Sequence, residues 1–133
     1  MSLTALFLIM EVKHMSLLAT ETYDKLLVGG SNYDALTKIG TVLTGQTLVR
    51  GSVLGIVTAS GKYKLCDASA SDGSEVPKFI LVNDTDASAA DAKATVYKTG
   101  VFNRQSLTWG TNGAPTGYET ALHDIGIFLK DET

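Results

Sequence analysis

The sequence is poor in the residues from which disulfides, metal centres and catalytic sites are usually built. Its 133 residues include one cysteine, Cys66, two histidines, His14 and His123, and two prolines. A single cysteine cannot form an intrachain disulfide, and structural zinc sites use several Cys or His ligands. We therefore interpret Cys66 as a structural residue in a protein made in a reducing cytoplasm. We expect no metal and no cofactor.

Charged residues are also few, and no basic cluster is present. Eleven Lys and Arg residues stand against 14 Asp and Glu, which gives a formal net charge of −3. Affinity for nucleic acid comes largely from Lys and Arg that neutralise phosphates, so the sequence predicts no direct nucleic-acid binding. The aromatic residues are not interleaved with basic residues, which favours core or subunit-contact roles over base stacking. They are Tyr63, Phe79, Tyr97, Phe102 and Trp109.

No apolar run is long enough to cross a bilayer. The run LTALFLIM occupies only residues 3–10, whereas a membrane-spanning helix needs about 20 apolar residues. A secretory signal would have a basic residue before the run, and none is present. We expect no membrane association. Met15 is a second candidate start, which would make residues 1–14 an upstream extension or a non-native segment.

Two motifs superficially suggest chemistry but fail on spacing. Between Gly55 and Gly61 lie five residues where a phosphate-binding loop has four, and Tyr63 replaces the Ser or Thr that follows the motif's lysine. A β-hairpin turn explains this segment better. His123 and Asp124 are adjacent in a predicted helix, and adjacent helical side chains do not face each other. The sequence therefore predicts no catalytic residue.

An acidic segment at residues 83–91 contains oxygen ligands of the kind that calcium prefers. Asp84, Asp86 and Asp91 follow Asn83 at short spacing. The ligand order of an EF-hand, with its central Gly and terminal Glu, is absent. We interpret the segment as a solvated acidic loop and predict no metal-binding residue.

Short β-type segments separated by Gly-rich turns dominate the chain from Gln46 onward. Runs rich in Val, Leu and Ile, or alternating polar with apolar, predict strands at residues 47–50, 52–58, 62–66, 79–82, 94–99 and 127–129. Gly51 and Gly55 lie inside them, where a bend or a close backbone approach would explain the missing side chains. Gly100 is predicted to turn the chain, and residues 67–76, 83–91 and 111–117 are predicted loops.

One helix is predicted near the C-terminus, at residues 116–125. Thr116 and Glu119 have the spacing of a capping box. Apolar residues then recur at i, i+3, i+4 and i+7, as on one face of a helix. These residues are Tyr118, Ala121, Leu122 and Ile125. Gly126 follows where a left-handed C-terminal cap is expected. The predicted class is therefore mostly β with one main short helix.

The first 44 residues lack a sustained period of either kind. Gly29, Gly30, Ser31 and Asn32 interrupt them in the middle. We predict an extended N-terminal arm and lead-in over residues 1–44 and a compact β-rich domain over residues 45–133.

Four segments together resemble one known family. LVRGSVLGIVTASGKYKL (residues 48–65), DASASDGSEVPKFILVNDTDASAAD (67–91), VYKTGVFNRQSL (96–107) and ALHDIGIFLK (121–130) occur in the order seen in the head decoration proteins of lambda-like tailed bacteriophages. The resemblance covers residues 45–130, and residues 1–14 look longer than that family's usual arm. It implies a β-clip-like decoration fold and a non-enzymatic role.

The resemblance further implies a homotrimer on the outer surface of the expanded phage capsid. There it would cement the major capsid protein against internal DNA pressure, in a virion assembled from proteins made in the bacterial cytoplasm. In that family the N-terminal arm docks on the capsid protein by strand addition. The arm residues that this implies for capsid binding are Leu17, Leu18, Thr20, Thr22, Tyr23, Leu26, Leu27 and Val28.

Two other classes of function remain open from the residues alone. A β-rich module that binds a small ligand or a carbohydrate would have a concave pocket lined by Tyr or Trp. A small hydrolase would have a nucleophile and a base within hydrogen-bond reach.

Overall fold

A computed structural model of the protein describes residues 35–131, which form eight strands and one α-helix. The strands are β1 (Leu36–Val42), β2 (Gln46–Leu48), β3 (Val53–Ile56), β4 (Tyr63–Leu65), β5 (Phe79–Leu81), β6 (Thr85–Ala87), β7 (Ala92–Asn103) and β8 (Ile127–Lys130). The helix α1 (Tyr118–Asp124) lies between β7 and β8, and a short 3-10 turn (Arg104–Ser106) follows β7. The predicted mostly β class with one helix near the C-terminus is confirmed.

Five of the strands pair in a closed ring. β1 pairs with β4, β4 with β3, β3 with β5, β5 with β7, and β7 again with β1. β7 is long enough to serve a second purpose, because its last four residues pair in parallel with β8. β2 and β6 form a separate antiparallel pair. β7 thus joins the ring to the C-terminal helix and strand.

Adjacent residues of the ring strands contribute to two different cores. The ring core takes side chains from all five ring strands and from β2 and β6: Val42, Leu48, Leu54, Tyr63, Leu81, Ala87, Ala94 and Val96. The helix core lies under α1 and β8 and comprises Val53, Cys66, Ile80, Tyr97, Phe102, Leu122 and Ile127. Since successive strand residues face opposite sides of a sheet, Ile80 enters one core and Leu81 the other. The continuous apolar run of β5 is therefore explained by burial on both faces.

Gly55 lies where the backbone of a loop crosses β3. A Cβ atom at this position would be 2.2 Å from the carbonyl oxygen of Ser74, which is far inside the van der Waals limit. The predicted close backbone approach is confirmed at this glycine. The predicted hairpin between Gly55 and Lys62 is also present, since β3 and β4 are antiparallel and Val57 N–H donates to Lys62 O at 2.8 Å.

Two predictions from the C-terminal half are wrong. Gly100 does not turn the chain: β7 continues through it to Asn103, because β8 provides a new partner that begins with Ile127 beside Gly100. The capping box is also absent, since the N-cap of α1 is Gly117 and no side chain caps it. The Glu119 carboxylate instead binds the Arg104 guanidinium at 2.5 Å, so a long-range ion pair replaces the local cap. The predicted left-handed cap at Gly126, with φ of 95°, is confirmed.

Two strands lie where none was predicted. β6 lies inside the predicted acidic loop, because Thr85–Ala87 pairs with β2. β1 lies inside the predicted unpatterned lead-in, yet it pairs with β7 along its whole length. The sheet therefore begins before residue 45. In β1 the ring-facing side at Gly40 is filled by the Tyr63 ring, 2.2 Å from where a Cβ atom would be, so the strand carries no alternating apolar pattern.

Candidate functional site

The reactive side chains of residues 35–131 lie in separate places. Cys66 is fully buried in the helix core, where its thiol donates to the carbonyl oxygen of Glu75 at 3.4 Å. Burial, together with the smaller effects of the Asp67 and Glu75 charges, raises the pKa of Cys66 to about 12. His123 lies on the exposed side of α1 with its ring edge-on to Phe128, 4.7 Å between centroids.

No group of three or more His, Cys, Asp or Glu residues within this part of the chain is placed to hold a metal ion. Each acidic residue of the segment 83–91 accepts hydrogen bonds from a neighbouring loop or turn. Arg50 N–H donates to Asp84 (2.8 Å), Ser88 N–H to Asp86 (2.9 Å), and Thr44 N–H and the Lys62 ammonium to Asp91 (2.8 and 2.5 Å). Hydrogen bonds from Ser88 and Lys62 hold the pKa values of Asp86 and Asp91 below their usual range.

Asp67 joins two loops beside a polar cleft. Its carboxylate accepts from the backbone N–H groups of Ser69 (2.8 Å) and Asn112 (3.2 Å), and these bonds lower the pKa of Asp67 to about 2. The cleft has a volume of about 280 Å³ and is lined by Gln46, Lys64, Leu65, Asp67, Ser69, Ala70, Gly110 and Thr111. Its lining includes no Tyr or Trp, the side chains expected of a carbohydrate pocket.

The aromatic side chains pack against one another in pairs. The rings of Tyr63 and Phe79 lie 4.9 Å apart, those of Tyr97 and Phe102 lie 5.2 Å apart, and those of Trp109 and Tyr118 lie 4.8 Å apart. Tyr63, Tyr97 and Phe102 are buried in the two cores. The predicted core role is therefore confirmed for these three residues.

Arg50 fixes the segment after β2 to the outside of the ring. Its guanidinium donates to the carbonyl oxygen of Val82 at 2.6 Å and lies 5.8 Å from the centre of the Tyr97 ring. Its backbone N–H is held by Asp84. One arginine therefore connects the loop before β3, the end of β5 and the middle of β7.

The exposed apolar side chains include two on β1. Ile39 is 69% exposed and Leu36 is 51% exposed, and Val49 and Val76 are the other large apolar residues of this kind in residues 35–131. Being three positions apart on the strand, they face opposite sides of the sheet, and Ile39 is the more exposed of the two. β1 is therefore a candidate contact surface.

The backbone of β1 is also open on one side. Leu43 N–H donates to the carbonyl oxygen of Tyr63 on β4 at 2.9 Å. Because backbone groups alternate in direction along a strand, Ile39 and Thr37 present their N–H and C=O groups to that same side. β4 reaches only Val42. Among residues 35–131, no strand pairs with β1 on this edge at Thr37 and Ile39.

The arm residues predicted to bind a capsid lie outside the described residues. They are Leu17, Leu18, Thr20, Thr22, Tyr23, Leu26, Leu27 and Val28. Their role stays a prediction. The chain enters the described fold at Ala35, directly before β1.

Residues 35–131 include no helix with the length and hydrophobicity needed to span a membrane. The helix α1 has seven residues.

An open strand edge flanked by exposed apolar side chains is the feature by which β-rich modules bind extended protein segments. The molecule is thus a small β-rich module with an open strand edge. The family model of the bacteriophage lambda head decoration protein D matches residues 19–125, which extend from the N-terminal region through α1. The chain belongs to this family, and the resemblance found in the sequence is confirmed.

A comparison with curated proteins found no match. Membership of the decoration family makes the chain a structural protein of the phage head, associated with the capsid of the virion.

Proposed function

We propose that the chain is a non-enzymatic cement protein that binds as a homotrimer to the outer surface of the expanded phage head. In this role it stabilises the shell of major capsid protein against the pressure of the packaged DNA. The observation that carries the proposal is the match of the decoration-protein family model over residues 19–125. The protein would be made in the cytoplasm of the bacterial host and would then assemble onto the virion.

The placement of reactive groups supports a role without catalysis. The thiol of Cys66 is buried, with a pKa of about 12, so it is protonated at neutral pH and is a poor nucleophile. His123 lies on the exposed side of α1, outside the helix core that holds Cys66. A structural role needs neither of these residues to react.

The arm is the proposed main contact with the capsid protein, through Leu17, Leu18, Thr20, Thr22, Tyr23, Leu26, Leu27 and Val28. An arm that docks as an added strand gains main-chain hydrogen bonds worth about 1 kcal/mol each. It also pays about 1–2 kcal/mol per residue in lost backbone entropy, so a single arm binds weakly. Three arms on one trimer bind as a multivalent unit, which can strengthen attachment by about 10²–10⁴.

The proposed function is tested by mixing the purified protein with expanded heads that lack decoration, followed by imaging. We expect added density on the outside of the shell, at positions of three-fold symmetry, with a mass per position of three times the 14.1 kDa chain. Decorated heads should also survive a higher temperature than bare heads. Absence of added density at saturating protein would contradict capsid binding, and density of one chain per position would contradict the trimer.

Binding of a small ligand or a carbohydrate is the alternative function. It predicts a concave pocket with an aromatic lining, and the cleft beside Asp67 has no Tyr or Trp in its walls. We therefore retain capsid decoration as the proposed function.

A further inference from the structure

We propose that the open edge of β1 is a second docking strand, which receives an extended segment of the capsid protein beside the Ile39 side chain. The inference rests on the proposed function, because it takes the capsid protein as the partner. It adds a contact within the folded domain, separate from residues 17–28 of the arm.

The backbone of β1 dictates what kind of partner fits. Thr37 and Ile39 direct their N–H and C=O groups away from β7, and no residue in 35–131 pairs with them there. These two residues lie about 7 Å apart along the strand. Donors and acceptors at that spacing are matched by the backbone of another extended chain, which is how strands add to a sheet edge.

The Ile39 side chain beside the edge provides an apolar contact. Ile39 is 69% exposed, and it borders a cleft of about 250 Å³ whose walls include Asn83, Lys93 and Thr95. In an added strand, alternate side chains face the same side of the sheet as Ile39. One apolar side chain of the partner can thus cover Ile39, whose other side borders the cleft next to β7.

Position along the chain favours the capsid protein as the occupant. The 34 residues that precede Ala35 include the proposed capsid-binding arm, and they join the fold directly at the start of β1. Val28, the last residue of the proposed arm, lies only seven positions before Ala35, so a capsid segment held by the arm is within reach of the β1 edge. A second copy of this chain is a poorer occupant, because antiparallel pairing of two equal edges closes a two-fold dimer, whereas the proposed assembly is three-fold.

Two substitutions separate the backbone contribution from the side-chain contribution. Thr37→Pro removes an N–H that points to the open edge and leaves the hydrogen bonds between β1 and β7 in place. Proline is tolerated at such edge positions. Ile39→Thr keeps a β-branched side chain and removes most of the apolar surface. Val76→Thr is the matched control, since Val76 is an exposed apolar residue outside the strands.

The measurement is the concentration of full-length protein that half-saturates undecorated expanded heads. We expect this concentration to rise by at least about fivefold for Thr37→Pro, the equivalent of one net hydrogen bond, and by at least about tenfold for Ile39→Thr. Val76→Thr should leave it unchanged. Lys38→Pro tests the orientation of β1, because the Lys38 N–H points toward β7 and its loss should lower the thermal midpoint more than Thr37→Pro does.

If the wild-type protein binds heads and both edge variants bind equally well, the inference is overturned and the proposed function stands. If the wild-type protein does not bind heads, the proposed function itself fails. Hydrogen exchange identifies the occupant: the amides of Thr37 and Ile39 should exchange quickly in the free protein and slowly on the head. Slow exchange of these amides in the free protein would overturn the inference. If the protection were lost on deletion of residues 1–28, the chain's own arm would cover the edge. If it depended on protein concentration, a second copy would cover it.

Discussion

At the scale of the residue, Cys66 offers a direct probe of the helix core. Its thiol is fully buried and its pKa is raised to about 12, chiefly by burial. We expect the native protein at pH 8 to resist a thiol-specific reagent, and the same protein in denaturant to react with one equivalent. Reaction of the native protein at the rate of a free thiol would show that the helix core is open.

The same pKa shift fixes the direction of an alkaline effect on stability. The folded thiol holds its proton to about pH 12, whereas an unfolded thiol releases it near pH 9. The contribution of Cys66 to the free energy of unfolding is therefore full below about pH 9 and decreases as pH rises toward 12. The Cys66→Ala variant has no thiol and lacks this dependence. The difference in free energy of unfolding between the wild-type protein and Cys66→Ala should therefore become smaller as the pH rises from about 9 to about 12.

The hydrogen bonds of Asp72 predict that the stability of the protein falls at low pH. Its carboxylate accepts from the hydroxyl of Ser74 (2.6 Å), from the Ser74 N–H (3.0 Å) and from the Lys64 ammonium (3.0 Å). These bonds hold the pKa of Asp72 well below its usual value of 3.8. The stability that they provide is present above about pH 4 and is lost as the pH falls further.

Thermal midpoints measured between pH 6 and pH 2 check this expectation. The wild-type midpoint should fall more steeply below about pH 4 than that of Asp72→Asn, which has no carboxylate to protonate. The two proteins should therefore differ most at pH 6. Parallel curves over the whole range would mean that Asp72 does not stabilise this loop.

At the scale of the element, the helix α1 is held by one fully buried side chain. Leu122 is 0% exposed and packs in the helix core with Phe102 and Ile127. Leu122→Ala should lower the free energy of unfolding by about 2–5 kcal/mol, since it removes buried methyl groups and leaves a cavity. Thr120→Ala on the exposed side of the same helix is the control and should have little effect. A cost below about 0.5 kcal/mol for Leu122→Ala would contradict the assigned helical face.

The sequence predicts elements well where local pattern and tertiary burial agree. β5 was predictable from its short apolar run, the hairpin of β3 and β4 from the Ser60-Gly61 turn, and the end of α1 from Gly126. The start of α1 could not be predicted, because the Glu119 carboxylate binds Arg104, which lies 15 positions earlier in the chain. A partner so distant in sequence leaves no local signal, whereas the spacing of Thr116 and Glu119 matches a capping box.

β1 shows a second reason for failure. A half-buried strand is recognised by alternating apolar residues, but in β1 the ring-facing positions hold Lys38 and Gly40. The Tyr63 ring takes the space of a side chain at Gly40, and the Lys38 ammonium lies 5.2 Å from the centre of the Phe79 ring. The one large apolar residue between them, Ile39, points outward. Side chains from other strands thus replace the expected pattern.

At the scale of the whole molecule, the arm and the folded domain should be separable. The described sheet begins at Leu36, so deletion of residues 1–28 removes none of the strands that the structure describes. We expect this deletion to leave the thermal midpoint nearly unchanged. It should weaken binding to undecorated heads by at least tenfold, or more than about 1.4 kcal/mol. Calorimetry and head-binding titration measure the two effects.

Deletion of residues 1–14 alone is the matched control, and it should matter much less if Met15 is the natural start. If the protein lacking residues 1–28 were unfolded, the arm would belong to the core of the fold. If the protein lacking residues 1–28 bound heads as tightly as the full chain, the main capsid contact would lie elsewhere on the molecule.

The candidate site could be predicted only in part. The arm residues were named through the family resemblance, and they remain a prediction. The open edge of β1 had no sequence signal, since an isolated Ile between Lys and Gly does not indicate a contact surface. It became visible only when the partners of β1 were known. The scarcity of cysteine and histidine predicts that the chain has no catalytic site, and this also remains a prediction.

Because β1 pairs with β7, the ring cannot close until the ribosome has delivered most of the domain. Leu36 and Thr99 are opposite each other, 63 positions apart. At about 5–20 residues per second, translation needs about 3–13 s to cover that distance. During this time the nascent strands have unpaired edges, and contacts between residues so distant in sequence form slowly. Neighbouring chains on one messenger RNA are then close enough to exchange strands, so the interval before β7 emerges is when this protein is most exposed to misassembly.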